Sequence, residues 1–275
     1  MSAPRGPATM TVRYLALAIV AVAFLFPFYW MVVTSLNTQS QLFSVPPVLW
    51  PGWHFGNYAA TWRAVDWPRF FLNTVLVSAL TTALVLATSS LAGYAFSSMP
   101  FPGRNVVFGI VLAVYMVPTE VTLVPNFITL SAMGWLNTYQ AQIVPFGASV
   151  FGVFLMRQSF LTLPREMWEA AQLDGCPHLR FLWSIALPLA RPALVTTGLF
   201  TFVNAWNAFL WPLIVTSTDT VRPLQVALAS FDQADSGQPM LLAAGALMTT
   251  VPILVIFLFA QRQLVGGIAA TGIRG

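Results

Sequence analysis

The sequence predicts an all-α integral membrane protein with six transmembrane helices. Three observations carry this expectation. Of 275 residues, 57% are hydrophobic and only 7% are charged, against about 25% charged in an average soluble domain. The apolar residues fall in six long continuous runs. Those runs lack the period-2 alternation of barrel strands, so helices are the way to satisfy their backbone in lipid. The composition excludes an ordinary soluble enzyme and a disordered chain. It also excludes a nucleic-acid-binding domain: the net charge is +4, but every basic residue is Arg and the Arg residues are scattered. Cys176 is the single cysteine, and His54 and His178 are far apart in sequence, so no metal site is expected.

A hydrocarbon core of about 30 Å, at a rise of 1.5 Å per residue, needs about 20 apolar residues. The expected spans are 14–34, 74–96, 105–129, 138–156, 192–216 and 240–260. Span one carries no charge. Span two sits inside an uncharged run, 70–103, and span three is interrupted by Glu120. The small-x-small pattern Ala16-Leu17-Ala18 lies inside the first apolar run, not after it, so an uncleaved first span is expected rather than a signal peptide. Six spans put both termini on one side. If that side is cytoplasmic, it holds Arg5, Arg13, Arg104, Arg157, Arg165, Arg180, Arg191, Arg262 and Arg274, leaving Arg63, Arg69 and Arg222 outside. This is a positive-inside bias. The layout is then a cytoplasmic segment 1–13, a membrane domain 14–262 and a cytoplasmic tail 263–275. Trp50, Trp53, Trp62 and Trp67 fall in the first external loop, either as an interfacial belt or as a docking surface.

The one sizeable inside loop, 157–191, reads as two short helices. Pro164 suits a first helical turn, and Glu166 places a negative charge near the positive end of the helix dipole. Met167, Ala170, Ala171 and Asp174 follow helical spacing, so the two alanines are expected on one face with little side-chain bulk. Gly175 makes the stop, since glycine tolerates the left-handed conformation that closes a helix. A second helix is expected from Pro177 to Leu187, where Pro188 ends or kinks it.

Glu169-Ala170-Ala171, three residues, Gly175, nine residues, Ile185, one residue, then Leu187-Pro188 resembles the EAA loop of ABC importer permeases. Phe26-Pro27-Phe28-Tyr29-Trp30-Met31, Asn57-Tyr58, 117–125 and Phe209-Leu210-Trp211-Pro212-Leu213 are similar to the MalG-type permeases of carbohydrate importers. Ala208 departs from the acid that the family often carries after Trp-Asn. The resemblance implies the type I importer fold, with a cytoplasmic coupling helix. It implies a second homologous permease as partner, two ATPase subunits that bind ATP and Mg, and an external solute-binding protein or lipoprotein. The implied coupling residues are Glu169, Ala170, Ala171, Asp174, Gly175, Ile185, Leu187 and Pro188, and the implied location is a prokaryotic inner membrane. No cofactor and no catalytic residue are expected in the chain itself. It contains no Lys, hence no P-loop Lys to reach a nucleotide phosphate.

Polar groups inside spans are candidates for the translocation path. Phe200, Asn204, Asn207 and Trp211 share a face by helical spacing, with Asn204 near mid-membrane. Amides and rings suit a hydroxyl-rich solute, while interhelical hydrogen bonding is the competing role for the asparagines. Glu120, about 24 Å along the span from Arg104 and hence in the outer half, lies between Pro118 and Pro125, which are expected to interrupt regular helix; it either faces the path or snorkels outward. With no Arg in the expected spans, a neutral sugar is favoured over a glycerol-phosphate compound. The alternative function is an ion-coupled secondary transporter using Glu120.

Overall fold

The computed structural model describes the backbone of residues 7–234 and 238–271, and the side chains of residues 10–229 and 238–259. Arg5, Asp235 and Arg274, and the side chains of Asp232, Arg262 and the tail 263–275, lie outside that description. Every regular element among the described residues is helical. In chain order these are α1 (Pro7–Ser35), α2 (Gln39–Leu42), α3 (Gly56–Ala64), α4 (Trp67–Ser98), α5 (Arg104–Val114), a 3-10 turn (Thr119–Thr122), α6 (Leu123–Ala132), α7 (Tyr139–Ile143), a second 3-10 turn (Val144–Phe146), α8 (Val150–Leu161), α9 (Arg165–Leu173), α10 (His178–Phe181), a π turn (Leu182–Ala186), α11 (Leu187–Leu189), α12 (Arg191–Trp206), α13 (Leu210–Val215), α14 (Leu224–Ala234) and α15 (Pro239–Thr271).

Among the described residues, three helices are long and apolar enough to cross a membrane: Met10–Ser35, Trp67–Ser98 and Pro239–Phe259. Three bent pairs pass the same test together, which gives up to six crossings if each pair is one span. They are Arg104–Val114 with Thr119–Ala132, bent by 88°; Tyr139–Phe146 with Val150–Leu161, by 45°; and His178–Leu189 with Arg191–Trp206, by 83°. Straight helices over 105–129, 138–156 and 192–216 are therefore not what forms. Proline explains the first of these bends and a further break within the expected span 192–216, because it has no N–H for the carbonyl four residues back and its ring collides with that carbonyl. Pro118 is four residues after Val114, where α5 stops; Pro212 is four residues after Ala208, in the gap between α12 and α13. Pro125 falls in the first turn of α6, where no partner is lost, and does not interrupt it.

The chain forms two compact units: 1–66 with 228–251, and 67–227 with 252–275. In the first, the segment after α1 is pinned by side-chain amides. Asn57 Nδ2 donates to the carbonyls of Ser35 (2.9 Å) and Asn37 (3.0 Å). The Asn37 amide contacts Gly52 and Trp50, and Tyr29 Oη donates to Leu49 O. Trp50, Trp53 and Trp62 are exposed on this segment. Along α1, the apolar side chains from Met10 to Val32 are almost all exposed within the chain, as a surface solvated by lipid or a neighbouring subunit would be.

In the second unit α4 is the centre, packed mainly on α8 and α12. Trp67 is fully buried there and takes no part in an external aromatic surface. Gly93 allows the α4–α8 crossing: a Cβ there would lie 2.7 Å from Met156 Cβ and 3.0 Å from the backbone N of Arg157. The terminal carbonyls of α4 receive cations, as the negative end of a helix dipole favours. Arg104 donates to Ser97 O and Met99 O, and Arg157 Nε donates to Phe96 O at 3.2 Å. The Arg157 guanidinium also sits 4.2 Å from the centre of the Phe108 ring of α5. At the other end of α4, buried Asn73 donates to Arg222 O (2.8 Å) and accepts from Tyr139 Oη (2.7 Å). Thr74 Oγ1 accepts from Leu224 N (2.7 Å), and Gln142 Nε2 donates to Val221 O (3.0 Å). These bonds fix the connection between α13 and α14.

Candidate functional site

The α9 region is built largely as its residues dictate. Pro164 is the N-cap, with extended ψ, and so stands just outside the helix rather than in its first turn. Glu166 occupies the first turn. At the other end Gly175 has φ +69, Gly175 N donates to Gln172 O (2.9 Å), and Cys176 N donates to Ala171 O (2.9 Å). This bond pair is a Schellman closure, and its left-handed residue is the glycine. Asp174 is the C-cap. The loop itself is shorter than 157–191, because residues 157–161 are the last turns of α8.

The two alanines do not face the same way. Ala170 is exposed, but Ala171 is buried in the chain's own core with Tyr94, Met156, Phe160, Phe181, Leu182, Ala186, Leu187, Ala190 and Ala193. Ala171 thus lets α9 approach α4 and α8, and is not free for an outside partner. Leu187 lies in the same core, Ile185 packs against it, and Pro188 and Glu169 are exposed. The expected second helix continues past Leu187. It passes through the π turn at Leu182–Ala186, which accommodates Pro188 two residues on, and reaches Leu189 before the 83° bend into α12.

Sequence reasoning missed two features here. Leu173, the last residue of α9, is 91% exposed, and Leu179 and Trp183 are also exposed. An apolar residue at the polar end of an amphipathic helix is the signal that could have marked Leu173. Second, Trp168 stacks on His178 at 4.2 Å and 19°, and His178 Nδ1 is hydrogen-bonded to Tyr94 Oη at 2.9 Å.

The four-residue stripe on span five does not form as one face. Phe200, Asn204 and Asn207 are exposed on α12 and at its C-cap. Asn204 Nδ2 donates to Phe200 O (2.8 Å), Asn207 Nδ2 donates to Val203 O (2.9 Å), and Gln225 Nε2 reaches Asn207 Oδ1 (3.4 Å). The chain breaks after Asn207, and Trp211 turns inward. It is 6% exposed, packs with Leu130, Ala141 and Val215, and donates from Nε1 to Ala141 O at 2.9 Å. Trp211 is therefore a core residue of its helix layer. Glu120 lies exposed in the 3-10 turn at the 88° break, so a straight rise from Arg104 does not locate it.

Comparison with known proteins decides the class. The family described as "Binding-protein-dependent transport system inner membrane component" matches residues 85–265. The chain belongs to this family. The permease is 32% identical over 260 residues to the arabinooligosaccharides transport system permease protein AraQ of Bacillus subtilis, covering 92% of this chain and 91% of that one. It is 34% identical over 256 residues to the lactose transport system permease protein LacG of Rhizobium radiobacter, covering 93% of both. It is 32% identical over 265 residues to the sn-glycerol-3-phosphate transport system permease protein UgpE of Yersinia pestis, covering 93% and 94%. Its fold matches a chain of a bacterial ABC transporter involved in import of the acidic polysaccharide alginate, at TM-score 0.83 and 21% identity, over 95% of this chain and 99% of that chain. The protein is thus an integral inner-membrane permease subunit of an ABC importer. That assignment removes the ion-coupled transporter that Glu120 leaves open.

Proposed function

We propose that this permease passes a sugar or sugar-like solute, delivered by an external solute-binding protein, into the cytoplasm by alternating access. It pairs with a second homologous permease, and two ATPase subunits bind and hydrolyse ATP with Mg. The relatives named for arabinooligosaccharides and lactose support a carbohydrate. The one named for sn-glycerol-3-phosphate keeps a glycerol-phosphate compound in the same class. An alginate transporter with the same fold, recorded with an oligosaccharide-bound periplasmic protein, supports a binding-protein partner.

The observation that carries the mechanism is α9: a short helix, closed rigidly at Gly175 and rooted by Ala171 in the core that also holds α4, α8 and α12 residues. In this reading α9 is the cytoplasmic coupling helix. Glu169 offers a carboxylate and Leu173 an apolar contact to an ATPase groove. Closure of the ATPases displaces α9, and the helices rooted with it move as a rigid body. Both termini are then cytoplasmic, each bent helix pair counts toward six spans within 14–262, and 263–275 lies on the ATPase side. Phe200, Asn204, Asn207 and Glu120, all exposed, are the candidate path residues; Trp211, buried in the core, is not one of them.

The test is uptake by the assembled importer. Gly175→Pro and Glu169→Lys abolish or severely reduce uptake while the subunit still inserts. Normal uptake by both variants, at normal abundance, contradicts the proposal.

A further inference from the structure

The interior of the α9 region contains a joint that the coupling role of α9 does not by itself require. Tyr94 comes from the last turns of α4, Trp168 from the middle of α9 and His178 from the start of α10. The three rings form one assembly. His178 lies flat on Trp168, with centroids 4.2 Å apart and planes inclined by 19°. Its Nδ1 is 2.9 Å from Tyr94 Oη. Phe181 closes the assembly edge-on against Trp168 at 5.0 Å, and Phe160 of α8 stands edge-on to Tyr94 at 5.9 Å. Tyr94 is buried and His178 half-buried, so water competes weakly for their hydrogen bond.

We infer that His178 is a positioning residue for transport: it locks α9 to α4 through Trp168 on one side and Tyr94 on the other. The aliphatic side chains of this core, Ala171 and Met156 among them, resist compression but permit sliding. A hydrogen bond and a stacked ring pair are directional and resist rotation and shear as well. A push or pull on α9 then reaches α4 without being absorbed at the interface. His178 suits this place because its flat ring presents a stacking face and an edge nitrogen to two different helices at once. The locking needs no solute contact, so its loss lowers transport per ATP hydrolysed rather than solute affinity.

The inference rests on the coupling reading of α9, and the following experiment separates the two. In the full importer, purified with its own ATPase and companion permease, spin labels are placed at Gln172→Cys and Met99→Cys in a Cys176→Ser background. Distances are measured without nucleotide and with ATP and vanadate. The parent gives one narrow distance distribution, unchanged between the two states. Tyr94→Phe keeps the ring and removes the hydrogen bond; His178→Ala removes bond and stack. Each raises the population outside the narrow peak, by about tenfold for Tyr94→Phe, the factor equivalent to about 1.4 kcal/mol. Trp168→Phe keeps an aromatic face and preserves the narrow peak, whereas Trp168→Leu broadens it. ATP hydrolysis by Tyr94→Phe persists while uptake per ATP falls. Parent distances that shift with nucleotide, or Tyr94→Phe and His178→Ala distributions as narrow as the parent's, overturn the inference. Normal uptake by Gly175→Pro and Glu169→Lys, at normal abundance, would instead defeat the coupling reading.

Discussion

Gly175 gives the sharpest prediction, because the structure separates its two possible reasons for being glycine. A Cβ built at Gly175 meets nothing within 4 Å, so crowding is no obstacle. Its φ of +69 is the obstacle. For an L-residue with a Cβ, this left-handed conformation costs roughly 1–2 kcal/mol. Gly175→Ala therefore weakens the Schellman closure by about 1–2 kcal/mol, a roughly five- to thirtyfold rise in the population with the last turn of α9 open. Asparagine tolerates this conformation better, so Gly175→Asn falls between glycine and alanine. Gly175→Val, β-branched, is worse than alanine. Hydrogen exchange of the amides of Asp174, Gly175 and Cys176, whose acceptors are Ala170, Gln172 and Ala171, reads the opening directly. Faster exchange in the order Gly, Asn, Ala, Val supports the reasoning. An effect that instead follows side-chain volume, smallest for alanine and larger for asparagine and valine, would point to lost space rather than lost conformation and refute it.

Other positions give similarly signed outcomes. Gly93→Ala drives a methyl into Met156 and the backbone of Arg157 and destabilises the α4–α8 crossing by about 1–3 kcal/mol. Gly198→Ala, whose nearest contact would be 3.5 Å, is neutral or stabilising by up to about 1 kcal/mol through helix propensity; thermal unfolding in detergent compares the two. Trp211→Ala leaves a large cavity and costs about 3–5 kcal/mol. Asn204→Ala, at an exposed site, leaves stability unchanged and raises the solute concentration needed for half-maximal uptake. Equal unfolding temperatures for these two variants would contradict the placement of Trp211. Asn73→Ala strips hydrogen bonds from Arg222 O and Tyr139 Oη and costs about 1–3 kcal/mol; exchange at Leu224 and its neighbours should speed up.

The helical membrane character and the α9 loop were legible because both rest on local signals. Apolar run length sets the first, and Pro164, Glu166 and Gly175 punctuate the second. The bends were only half legible. The proline pair around Glu120 announced one break, and Pro118 alone made it, because only Pro118 falls where a continuing helix would need its N–H. Pro212 carried the same information for the break after Asn207. Treating 192–216 as unbroken helix put Trp211 on the wrong face. Periodicity put Ala170 and Ala171 on one face of α9, whereas Ala171 meets the chain's own core and Ala170 is exposed, a division that depends on where α4 and α8 pass. The joint of Tyr94, Trp168 and His178 left no trace in the sequence, because its hydrogen-bonded partners are 84 residues apart.

The central claim is that α9 is where an ATPase grips this permease. A photo-crosslinking residue at Leu173, the exposed tip of α9, tests it in native membranes. The account predicts one dominant adduct, to the ATPase chain, accessible from the cytoplasmic face. An adduct to the external binding protein, or no adduct in a transport-competent complex, would contradict it.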